Sequence, residues 1–141
     1  MRPRNERGSA TIETVVLAPG LLMLIGLLIL GGRIALAGGS VEHAAAEAAR
    51  SASIARTAAE AQADAHNTAY TSLNQQGIQC VSLDVSVDTS QFATPPGQPA
   101  SVSATVTCNV NLADITIPGL PGSRTMTATV RSPLDTYRER G

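Results

Sequence analysis

The stretch Glu6–Arg33, ERGSATIETVVLAPGLLMLIGLLILGGR, decides how the rest of the chain is read. From Thr14 to Gly32 it carries no charge and is dominated by Leu, Ile and Val. At about 1.5 Å per residue this run reaches ~28 Å as a helix, close to the ~30 Å hydrocarbon core of a bilayer. Glu13 stands at its front edge, and Arg2, Arg4 and Arg7 precede it against a single acid, Glu6. The positive-inside rule then expects the amino terminus in the cytoplasm and everything after Arg33 outside. The expected organisation is a basic leader over 1–8, a transmembrane helix over 9–32, an Ala-rich extracytoplasmic helix over 33–76 and a small β-domain over 77–141.

Two details of the apolar run bear on its neighbours. Pro19-Gly20 falls about one turn in, where the missing N–H and the loose glycine predict a kink or a local melt. Gly31, Ala35 and Gly39 follow at a spacing of four, the small-residue pattern that lets two helix backbones approach closely. The other reading of these glycines is that Gly31-Gly32 and Gly38-Gly39 mark the end of the membrane helix.

Working outward, Ser40 to about Leu73 favours helix. Val41, Ala45, Ala48, Ala52, Ala55, Ala59 and Ala63 alternate steps of four and three, a seam continued by Tyr70 and Leu73. Arg56 and Glu60 are spaced to pair at i, i+4. An alanine seam buries little area, so it needs a close partner, either the chain's own β-region or further copies. Gly77 supplies the stop as a C′ residue.

After Gly77 the period changes to two. Val81, Leu83, Val85 and Val87 alternate with polar residues as a first strand, and Val102 to Leu112 reads as a second. Thr94–Pro99 and Ile117–Gly122 are loops by composition. Thr125–Arg131 forms a third strand ended by Pro133, before the charged tail Arg138-Glu139-Arg140. Three antiparallel strands with one apolar face need a cover, and the preceding helix is the candidate. The fold class is α+β: a long amino-terminal helix backed by a small antiparallel sheet.

Cys80 and Cys108 lie on the expected outer side, where a disulfide persists. Parity opposes them: Cys108 shares the apolar side of its strand, whereas Cys80 falls with Ser82 and Asp84. A bridge therefore requires a twist or bulge at the strand entry that re-aims Cys80. Two free thiols are the alternative.

The absences narrow the function. The 141 residues contain no Lys, no Trp, one Phe and two Tyr, and the net charge is −1. Without a basic patch after the leader, nucleic acid is not expected as a ligand. Without Lys there is no P-loop lysine or Schiff base. His43 and His66 lack the i, i+4 partner of a metalloprotease helix and are far from both Cys, so no metal site and no cofactor are expected. No Ser sits in a G-x-S-x-G turn. A catalytic role is not expected.

Arg7-Gly8-Ser9-Ala10-Thr11-Ile12-Glu13, with Pro19 six residues after the Glu and the Leu-rich run beyond, resembles the TadE-like proteins of tight-adherence (Flp-type) pilus systems. The Ala-rich helix with Glu47 and Arg50 extends the likeness through roughly the first sixty residues, beyond which it is architectural. Thr14 stands where these proteins often carry an aromatic. The resemblance implies a minor pilin or pseudopilin cut by a prepilin peptidase after Gly8. That leaves Ser9 as the first residue and Glu13 as the fifth. It implies other pilins and the inner-membrane assembly machinery as partners, with homo- or hetero-oligomers formed through the amino-terminal helix, and surface adherence as the purpose. Two other classes remain: an uncleaved single-pass protein with an outer binding domain, and a secreted domain released by signal peptidase after Ala37 at the site Ala35-Leu36-Ala37.

Overall fold

The computed structural model describes residues 7–112 and 122–137. The expected leader residues 1–6, most of the loop before the third strand and the tail from Arg138 lie outside them. Two helices precede three strands: α1 (Arg7–Ile54), α2 (Ala58–Gln75), β1 (Cys80–Asp88), β2 (Ser101–Asn111) and β3 (Ser123–Pro133), with a 3-10 turn (Ser90–Ala93) between β1 and β2. The chain divides into two compact units, 1–34 and 35–141, so the division falls inside α1.

Within the first unit, α1 is continuous through Pro19, and the expected local melt does not occur. Proline removes one backbone donor and leaves the rest of the hydrogen-bond ladder in place. The helix is long and apolar enough to cross a membrane.

The second unit has its core between alanine-faced helices and one face of a sheet. On α1, Ala37, Val41, Ala44, Ala45, Ala48, Ala49 and Ala52 are buried, an i, i+3, i+4, i+7 stripe. The expected seam therefore holds from Val41 to Ala55. Beyond it only Leu73 keeps its expected buried place, because the Ala-rich segment is two helices. Residues 55–57 leave the helix, and the phase resets. Ala59, Ala63 and Tyr70 are exposed, while Ala61, Ala65, Ala69 and Leu73 turn inward. The seam's partner is thus the chain's own second unit.

The cause of the break lies in four residues. Thr57 takes an extended conformation at the N-cap of α2, and its hydroxyl accepts from the Glu60 N–H at 3.2 Å. The Glu60 carboxylate reaches back to accept from the Arg56 N–H at 3.2 Å. This reciprocal pattern satisfies donors that a new helix start leaves open. Glu60 was expected to pair with the Arg56 side chain; its recorded hydrogen bond is to that residue's backbone. At the other end, Gly77 adopts φ +72° and acts as C′. Its N–H bonds the Asn74 carbonyl at 3.0 Å, and the Ile78 N–H bonds that of Leu73 at 2.9 Å, which makes a Schellman motif.

The sheet is antiparallel in the order β1-β2-β3. Val102, Ala104, Val106, Cys108 and Val110 of β2 are buried on one face, joined by Val85 of β1. The opposite face is polar. Thr105 and Thr129 bond through their hydroxyls at 2.8 Å, as do Thr107 and Thr127 at 3.2 Å.

Candidate functional site

Three groups of residues carry the expected function: the processing segment with its glutamate, the small residues of α1, and the cysteine pair. Gly8 and Ser9 lie in the first turns of α1, with Glu13 about one turn further along the same helix. Glu13 is exposed. So are most of the apolar side chains around and after it in the first unit: Ile12 and Leu22 at 69%, Leu28 at 68%. A helix that exposes so many apolar side chains is poorly matched to water and is suited to an apolar environment. An ionised carboxylate at the margin of such an environment costs a few kcal/mol unless it is neutralised or paired. Glu13 is the one acid between Thr11 and Gly39, and only Arg33 joins it in that charge-poor stretch.

Gly31 in the first unit and Ala35 and Gly39 in the second are all exposed. A Cβ built on Gly31 or Gly39 would meet nothing within 4 Å. Neither glycine is required by packing inside the chain, and each leaves its stretch of backbone open to close approach. Ala37, two residues from Ala35, is buried at 2% and belongs to the core of the second unit.

Cys80 and Cys108 are bonded, with Cα atoms 5.4 Å apart. The parity conflict is resolved by a bulge: Cys80 pairs with Val110 and Ser82 with Asn109, so Val81 is the extra residue. The bulge rotates Cys80 to the apolar side. It also corrects one expectation, since Val81 turns outward and is 66% exposed rather than buried. The bridge ties the exit of α2 to the central strand.

A residue that periodicity did not single out completes this unit. Gln62 of α2 donates from Nε2 to the Val85 carbonyl at 2.5 Å and accepts at Oε1 from the Val87 N–H at 3.1 Å. Its amide thus imitates one residue of a neighbouring strand and closes the outer edge of β1. Asp88, at the end of that strand, accepts from the Ser90 N–H at 3.0 Å. Hydrogen bonds from the Ser90 backbone and then its side chain hold the Asp88 carboxyl below its ordinary value of 3.8, with help from the Arg131 charge. His43 and His66 are exposed on the helices, and the His43 ring lies 3.9 Å from Glu47. Among the described residues no three His, Cys, Asp or Glu side chains gather as a metal set.

One of the comparisons with known proteins bears on the amino-terminal segment. Residues 8–50 match the family model described as TadE-like protein. Neither the curated proteins nor the solved structures return a match. The matched segment covers Gly8, Ser9 and Glu13, the apolar helix, the small-residue positions and the buried stripe as far as Ala49.

Proposed function

We propose that this chain, TadE-like over residues 8–50, is a pilus-associated membrane protein that acts as a minor pilin or pseudopilin of a Tad-type system. The observation that carries this reading is the coincidence of the matched segment with a long exposed apolar helix bearing a single glutamate at its start. A prepilin peptidase cuts between Gly8 and Ser9, and the new Ser9 ammonium lies four residues before Glu13. On a helix that spacing lets the two charges pair, within one chain or between neighbours. Pairing between neighbours fixes the axial register as helices are added side by side, and it offsets the cost of the carboxylate. The amino terminus faces the cytoplasm and the second unit faces outward, where the Cys80–Cys108 bridge persists. The role is structural, with no turnover assigned. Its partners are the peptidase, other pilins and the inner-membrane assembly machinery.

Release of the second unit after Ala37 is disfavoured, because Ala37 is a buried core residue in the middle of α1. Glu13→Gln tests the role of the charge. The variant is expected to be processed normally but to be lost from assembled pili, with surface adherence reduced about tenfold, as ~1.4 kcal/mol of lost pairing would give. Wild-type incorporation would remove Glu13 from the mechanism.

A further inference from the structure

The two edges of the sheet are treated differently. The outer edge of β1 is closed at Val85 and Val87 by Gln62. Among the described residues β3 pairs with β2 alone, and along its free side Thr125, Thr127, Thr129 and Arg131 are exposed. Backbone parity shows which groups that side presents. Because Val87 donates to Gln62, the odd residues of β1 point away from β2, and its even residues bond β2. Ser86 pairs with Thr105 and Asp84 with Thr107, so the odd residues of β2 face β1 and its even residues face β3. Val106 pairs with Ala128 and Ala104 with Val130, so the even residues of β3 are used internally. The N–H and C=O groups of Thr125, Thr127, Thr129 and Arg131 therefore point outward along an open edge. Such an edge is a template for another strand.

The geometry points to a second copy of this chain as that strand, with β3 pairing antiparallel to itself about a two-fold axis at Ala128. Three observations select this occupant and this register. First, Ala128 is the midpoint of Ser123–Pro133, so the register overlaps the whole strand. Second, it places outward-pointing residues opposite each other, as the ladder requires: Thr127 meets Thr129 of the second copy, and Thr125 meets Arg131. Third, the side chains match on both faces. Met126 meets Val130 of the second copy, and Ala128 meets its own equivalent; all three are half-buried and gain cover. On the polar face the Thr107–Thr127 and Thr105–Thr129 rows run on into each other. Arg124 falls opposite Ser132. The register centred between Thr127 and Ala128 would instead set Arg124 against Arg131 and break the parity of the ladder. Like charges directly opposite are unfavourable. An isologous contact of this kind closes on itself and yields a dimer rather than an open chain of sheets. The inference stands on the second unit and does not depend on the pilus reading.

A strand pair alone buries less than a standard interface, so register-specific cross-linking is a better probe than equilibrium mass. Full-length chains carrying Thr127→Cys or Thr129→Cys, separately tagged, are mixed in native membranes and oxidised. Hydrogen-bonded pairs in such a ladder hold their Cα atoms about 5.5 Å apart, within disulfide reach. The mixed dimer is expected at least tenfold above either chain alone. Adding Thr125→Pro to each chain removes an outward N–H without touching an internal one, and it is expected to abolish that dimer while Cys80–Cys108 stays bonded. No mixed dimer, equal linking by Thr127→Cys alone, or a dimer indifferent to the proline would each overturn the proposal.

Discussion

At the scale of single residues, stability rests on a few polar and covalent devices, because the alanine core is thin. The Cys80–Cys108 bridge spans 28 residues and is worth about 3–4 kcal/mol by chain entropy. Replacing both cysteines by Ser is expected to lower the denaturant midpoint of unfolding accordingly. Gln62→Ala removes two hydrogen bonds and leaves the Val85 carbonyl and Val87 N–H to water. A loss of about 1–2 kcal/mol is expected, with faster hydrogen exchange at the Val87 amide than elsewhere in β1. Asp88 governs a small acid-sensitive term. Its folded value lies below the unfolded one, so it stabilises above the ordinary carboxylate range, and that contribution is lost as pH falls below about 3.8. Asp88→Asn is therefore expected to flatten this part of the stability–pH curve, measured by acid titration of the fold. An unchanged acid limb would remove the residue from the account.

At the scale of elements, the sequence is most legible where one face is buried and least where a local signal competes with composition. Period-two alternation locates all three strands, and the parity of Cys80 shows that a bridge to Cys108 needs a twist or a bulge at the strand entry, although the sequence alone leaves two free thiols as the alternative. Gly77 is equally plain: helix propensity ends beside a residue free to take positive φ. The break at residues 55–57 is harder to read. Thr57-Ala-Ala-Glu60 is a capping-box pattern in full view, but it sits inside so much alanine that intrinsic propensity argues for one unbroken helix. Missing it shifts the seam onto Ala59 and Ala63, which are exposed. Gln62 is beyond reach of periodicity altogether, since its partners are 23 and 25 residues away and depend on α2 lying against β1. Thr57→Ala is expected to cost about 1 kcal/mol in thermal or denaturant unfolding, the usual worth of an N-cap. Ala48→Leu, at a wholly buried position, is expected to cost about 1–3 kcal/mol by overpacking. The same change at exposed Ala63 should be nearly silent. Equal effects at the two sites would contradict the phase reset.

At the scale of the whole molecule, two units of opposite character share one chain. The second is held by its own core, edge cap and disulfide. The first leaves most of its described apolar side chains exposed, Leu30 apart, and these call for an apolar medium or neighbouring helices. Glu13 is the acidic exception in that surface, and the proposed role gives it a purpose only if an ammonium is generated four residues before it. The amino-terminal residue of the protein recovered from its native membranes tests this most directly. Ser9 is expected, with the apolar helix retained. A chain beginning at Met1 or Arg2 would contradict processing by a prepilin peptidase, and one beginning at Gly38 would contradict the membrane-held subunit itself.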